Sequence, residues 1–261
     1  MLGLMLDRKL LTVALAGSIF FGAATMTFAA EREFSEPSMI TMEAHPEIIE
    51  AKQIFQDDSS DGKKLVVIDY AQINFSGHKL SAGNLARIED INGLAHQYAY
   101  KRLDEYVATA QKALKEGKAT SAFPYKLKVQ PSIVMADENG ISILTRYDVH
   151  MGGKRPNYWY SGMNFDAAGN PLKITDICTD IHKLCEVLKK EIKKTGFAKK
   201  CTNIDKSFVE FDNQNGKDLI FVRNGEAVYF YFSPYSLAPY EAGCAVVKLE
   251  YARYRKLLKK I

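Results

Sequence analysis

The sequence predicts an α+β fold: antiparallel sheets, made of local hairpins, packed against helices. Three observations carry this. Runs rich in β-branched and aromatic residues recur, and two pairs of them are joined by the turn dipeptides Asn139-Gly140 and Asn224-Gly225. Residues 88–115 repeat apolar side chains mostly at intervals of three and four, the period of a helix with one buried face. The helical runs interrupt the hairpins rather than alternating one for one with strands.

The elements follow in chain order. Residues 1–29 read as a signal peptide. Asp7-Arg8-Lys9 precede an uncharged, mostly apolar run over 10–28, and Thr27-Phe28-Ala29 supplies the small residues a signal peptidase reads. A retained membrane anchor is the alternative, but Gly17, Ser18, Gly22, Thr25 and Thr27 dilute its hydrophobicity. Residues 30–63 are a poorly patterned segment with Pro37, Pro46 and the polar break Asp57-Asp58-Ser59-Ser60-Asp61-Gly62. A strand over 65–75, a loop to 84 and the long helix over 88–115 form a first module, 64–120. A C-terminal α+β module, 121–261, follows. It opens with a hairpin over 125–135 and 140–151 and a third strand over 158–165. Asp180 caps a helix that runs to about 195. A second hairpin over 217–222 and 227–232, a loop over 233–243, a strand over 244–249 and a terminal helix over 251–260 complete the chain.

The chain has 261 residues, 47% of them hydrophobic, enough for a real core. Its formal net charge of +4 is locally concentrated. Lys183, Lys189, Lys190, Lys193, Lys194, Lys199 and Lys200 face only Glu186 and Glu191, and Arg253, Arg255, Lys256, Lys259 and Lys260 repeat the bias. In an exported protein the acidic partners of such a surface are wall polymers or lipid headgroups; a solvated helix face is the plainer reading. Export argues against nucleic acid and places the chain in the periplasm, on the cell surface or in the medium. Membrane contact is expected only if the N-terminal segment is retained.

Cys178, Cys185, Cys201 and Cys244 are even in number, so an oxidising envelope permits two disulfides. Of the three connectivities, Cys178 with Cys185 and Cys201 with Cys244 is preferred. No metal site is expected, because there is no CxxC and no histidine at ligand spacing. No nucleophile elbow, Walker loop or dinucleotide fingerprint occurs, and no cofactor is expected. Asp148 and His150 fall on one face of a strand and are the acid–base pair of an enzymatic alternative, a hydrolase or deacetylase acting on wall polymer. The richest cluster is Gly152-Gly153-Lys154-Arg155 followed by Tyr158-Trp159-Tyr160, where cations and aromatics together suit a sugar ring or a partner protein. Aromatic packing within a hairpin is the competing reading.

Two stretches resemble a known family. Residues 147–178, with Gly152-Gly153, Asn164-Phe165-Asp166, Gly169 and Ile174-Thr175-Asp176-Ile177, resemble the opening of the RsiV-type extracellular domain. Residues 230–249, with Pro234-Tyr235-Ser236-Leu237-Ala238-Pro239-Tyr240-Glu241-Ala242-Gly243, resemble its closing motif. Residues 65–114 are similar to the companion module found there and beside PdaC-type peptidoglycan deacetylase domains. The resemblance implies a non-catalytic envelope module that binds wall glycan or an extracellular protein such as lysozyme. Lys154-Arg155 stand where the family has Ala-His, and only nine residues precede the apolar run, too few for a cytoplasmic sigma-binding segment. The ligand-facing residues expected are Gly152, Gly153, Lys154, Arg155, Tyr158, Trp159, Tyr160, Tyr235 and Tyr240.

Overall fold

The computed structural model describes residues 49–57, 64–73, 80–117, 123–153 and 155–261. The expected signal peptide and most of the segment over 30–63 lie outside them, but that segment ends in a strand, β1 (Ile49–Asp57). Two sheets make up the rest. The larger runs β1, β2 (Lys64–Ile73), β3 (Tyr125–Asp137), β4 (Gly140–His150) and β5 (Asn157–Phe165) in that spatial order. The smaller runs β6 (Ile220–Arg223), β7 (Ala227–Phe232) and β8 (Ala245–Glu250).

All pairings are antiparallel except β2 with β3, which run parallel. A parallel pair needs a long crossover, and α1 (Ala82–Lys115) supplies it. The larger sheet is therefore mixed rather than purely antiparallel, and it joins strands from both modules expected from the sequence. On α1, Ala99, Tyr106 and Ala110 pack against Leu65, Ile68, Tyr70, Leu127 and Val129, while Ile88 and Ile91 meet Ile73, Ile141 and Ile143. The helix starts at Ala82, earlier than its apolar period suggests, because the Ser81 hydroxyl accepts a hydrogen bond from Asn84 N at 3.1 Å. Gly83 lets this end press on the turn after β5: a Cβ there would lie 2.0 Å from the Ala168 carbonyl oxygen.

The second core lies under α3 (Ile181–Lys193). Asp180 caps it, accepting from Lys183 N at 2.9 Å. Ile181, Leu184, Cys185, Leu188 and Ile192 form its buried face, in one cluster with Phe221, Phe230, Phe232, Val247 and Leu249. A short helix α2 (Ile174–Ile177) precedes it. Helix α4 (Ile204–Asn213) was not expected, although Ile204, Phe208 and Phe211 keep helical spacing and pack on the same core, Phe208 beside Phe211 and Phe232; it is only ten residues long. The terminal helix expected over 251–260 is instead a series of turns. Thr179 N donates to Leu257 O and Lys259 N to Ile177 O, which draws the backbone out of helical pairing while Leu257 and Leu258 bury. No helix among the described residues is long and apolar enough to cross a membrane.

The expected disulfides are absent: no disulfide joins Cys178, Cys185, Cys201 and Cys244. Three of the sulfurs meet a backbone carbonyl instead. Cys178 Sγ donates to Asp180 O at 3.3 Å, Cys201 Sγ to Phe197 O at 3.6 Å and Cys244 Sγ to Ala245 O at 3.4 Å, while Cys185 packs in the core. Burial raises the thiol pKa of Cys178 and Cys201, and pushes Cys185 up to about 12. These sulfurs are held as small apolar groups rather than thiolates.

Candidate functional site

Strand alternation sorts the expected residues onto two faces of the larger sheet. On β4, Leu144, Arg146 and Asp148 share the face turned toward the smaller sheet. Their β5 partners are Gly162, Tyr160 and Tyr158. Leu144 packs with Val222, Ala227 and Tyr229, and Tyr160 packs beside them. At Gly162 the two sheets nearly touch, since a Cβ would lie 2.1 Å from the Phe221 carbonyl oxygen. Below this crossing, a buried network fixes the angle. Asn164 Nδ2 donates to Phe221 O at 2.9 Å, Ser142 Oγ donates to Asn164 Oδ1 at 2.7 Å, and Arg223 N donates to Ser142 Oγ at 2.9 Å. The Arg223 guanidinium donates to the carbonyls of Asn139, Phe165 and Ile261.

Further along β5, Arg155 and Tyr158 meet the loop over 233–243. Arg155 Nη1 donates to Glu241 Oε1 at 3.0 Å across the gap. The Tyr158 ring sits edge-on to Tyr240 at 5.8 Å and to Tyr160 at 6.0 Å. Tyr160 meets Tyr231 at 5.3 Å, and its backbone N–H donates to Ser233 Oγ at 3.1 Å. Tyr235 lies 6.0 Å from Tyr240. The Arg146 guanidinium lies 4.7 Å over the Tyr158 ring and donates twice to Asp148 Oδ1, at 3.1 and 2.9 Å. Tyr240 has its hydroxyl pKa raised, first by burial and then by Tyr235 and Asp148. The result is a cluster of tyrosines with two paired charges beside it.

Tyr235 is the outlying member. It is 68% exposed and sits at φ 69°, a left-handed backbone that costs a non-glycine residue about 1–2 kcal/mol. Its N–H closes the turn onto Ala238 O at 3.0 Å. An aromatic ring is held out to solvent on a strained turn, the kind of feature that clusters at binding surfaces.

Gly152, at φ 73°, Gly153 and Arg155 form the first loop; Lys154 lies outside the described residues. Arg155, Tyr158, Tyr160, Tyr235 and Tyr240 are brought together. Trp159 is not, because its strand position turns it to the α1 side. There it stacks on Tyr147 at 5.2 Å with a 4° interplanar angle, and Tyr147 in turn meets Tyr98 of α1 at 5.8 Å. The Trp159 Nε1–H is buried without a hydrogen-bond partner. Arg146, Tyr231, Ser233 and Glu241 were missed. Only the β4–β5 register could have revealed Arg146, since it sets Arg146 opposite Tyr160. Asp148 and His150 do share a face, but Asp148 is bonded to Arg146, and His150 Nε2 lies 3.0 Å from Gly153 O. Among the described residues no group of three or more His, Cys, Asp or Glu is placed to hold a metal ion.

Residues 176–252 match the family model described as "Protein of unknown function (DUF3298)". This stretch spans α3, α4, the smaller sheet and the loop over 233–243. Two solved structures of that family are similar to the chain. One, from Bacteroides fragilis NCTC 9343, is 16% identical with a TM-score of 0.48, covering 81% of this chain and 94% of its own. The other, from Pseudomonas aeruginosa PAO1, is 14% identical with a TM-score of 0.45, covering 82% of this chain and 96% of its own. No curated protein matches the chain.

Proposed function

We propose that the chain is an exported, non-enzymatic module of a bacterial envelope that binds wall glycan on the tyrosine cluster formed by residues 155–160 and 231–241. The observation that carries the reading is the meeting of two distant stretches, through Arg155 with Glu241 and Tyr158 with Tyr240. Tyrosine rings offer flat apolar faces for the C–H faces of sugars, and their hydroxyls, with the rim charges, offer partners for sugar hydroxyls. The signal-like N-terminus and the resemblance to RsiV-type domains support the envelope setting. Asp148 engaged by Arg146 leaves no acid–base pair with His150, which favours binding over turnover.

The test is co-sedimentation with purified wall glycan, using the wild-type chain and the Tyr235→Ala and Tyr240→Ala variants. Wild type should bind and each variant should weaken binding roughly fivefold, the loss of one stacking contact worth about 1 kcal/mol. Retention of lysozyme but not glycan would replace the ligand. Retention of neither would end the reading.

A further inference from the structure

We propose that a cationic stripe shared by α3 and residues 253–260 docks a flexible, single-chain phosphate polymer other than nucleic acid, at a surface separate from the tyrosine cluster. With Ile181, Leu184, Cys185, Leu188 and Ile192 turned to the core, the helical period places Lys183, Lys190 and Lys194 together on the outer side, all exposed. The flank toward α4 is neutralised: His182 meets Asp212, and Lys189 and Lys193 meet Asp205. The other flank is not.

There the C-terminal segment runs back along the helix. The Tyr254 hydroxyl donates to Glu191 Oε1 at 2.9 Å beside the last turns of α3. The Thr179 hydroxyl donates to Lys256 O at 3.0 Å, and Lys259 N donates to Ile177 O at 2.8 Å, both beside its start. The segment thus carries Arg253, Arg255, Lys256, Lys259 and Lys260, all exposed, along roughly 20 Å of helix. The carboxylates beside the two rows are engaged: Glu191 is bonded to Lys194 Nζ at 2.7 Å and to Tyr254, and Asp180 accepts from Lys183 N at 2.9 Å. Among the described residues, Lys183, Lys190, Arg255, Lys256, Lys259 and Lys260 make no ion pair.

Two rows of cations along one line suit a chain of regularly spaced anions, which binds by releasing counterions. A bilayer face would set apolar side chains among its basic ones, and neither α3 nor residues 251–260 exposes a large apolar residue. Folding alone does not call for six unpaired like charges side by side, since they repel.

The experiment measures binding of the full chain to inorganic polyphosphate by calorimetry across a salt series. Wild type should bind, with affinity falling as salt rises. A K183A/K190A/R255A/K256A variant should bind roughly tenfold or more weakly with a shallower salt slope. A K206A/K217A variant, which removes two lysines away from the stripe, should match wild type. Lys190→Glu alone, which leaves the other cations in place, should also weaken binding and serves if the quadruple variant does not fold. Equal binding by wild type and the stripe variants overturns the proposal. So does an equal loss in K206A/K217A, or binding only to anionic-lipid vesicles or only to duplex DNA. Loss of glycan binding at the tyrosine cluster would leave this result untouched.

Discussion

At the scale of single residues, the motif that resembles a family does structural work. Asn164 holds the two sheets together, and Asp166 nucleates the following turn by accepting from Ala168 N, Asn170 N and Asn170 Nδ2. Asn164→Ala would leave the Phe221 carbonyl and the Ser142 hydroxyl short of a partner in a buried site, at a cost of about 2–3 kcal/mol in urea unfolding. Tyr235 carries the opposite bargain. Glycine adopts φ near 69° freely, so Tyr235→Gly should hold or raise stability by up to about 1 kcal/mol while glycan binding falls. A large stability loss would mean the ring packs rather than binds. The sequence pointed to Tyr158 and Tyr160 because cations and aromatics cluster there, and to Tyr235 and Tyr240 through the resemblance of residues 230–249 to the RsiV-type closing motif. It misplaced Trp159, though the alternation that separates Trp159 from its neighbours was visible once a strand was assigned.

At the scale of elements, long segments and those with a clear start signal were legible and a short one was not. Helix α3 was announced by Asp180; α4, ten residues long, was passed over although Ile204, Phe208 and Phe211 keep helical spacing. The turns over 251–260 read as helix because Tyr251, Leu257 and Leu258 are apolar, yet long-range bonds to Ile177 and Thr179 decide their backbone. Parallel pairing of β2 with β3 was equally hidden, since alternation does not record strand direction; the long helix between them was the available cue. The disulfide expectation rested on compartment and on an even count of cysteines, and neither records which way a sulfur points. The contact between α3 and α4 carries a pH dependence. His182 Nδ1 lies 2.6 Å from Asp212 Oδ2, and that hydrogen bond, with the Asp212 and Glu186 charges, raises the imidazole pKa. A raised folded-state pKa favours the protonated histidine in the folded chain. Its contribution is therefore full at acid pH and is lost as pH rises through the raised value. His182→Gln should lower stability at a pH of about 5 and match wild type at about 8, measured by urea unfolding.

At the scale of the whole molecule, the proposed site depends on how two sheets meet. Gly162 lets them touch, Asn164 and Ser142 tie them together, and the same packing brings Tyr158 and Tyr160 of one sheet beside Tyr231 and Tyr240. The sequence could nominate both loops, but only the crossing brings them together, and no local pattern encodes it. The most direct measurement is hydrogen–deuterium exchange with and without soluble wall-glycan fragments. The account predicts slowed exchange in residues 151–160 and in 233–243 at the same glycan concentration. Protection of one loop alone, or protection confined elsewhere, would contradict it.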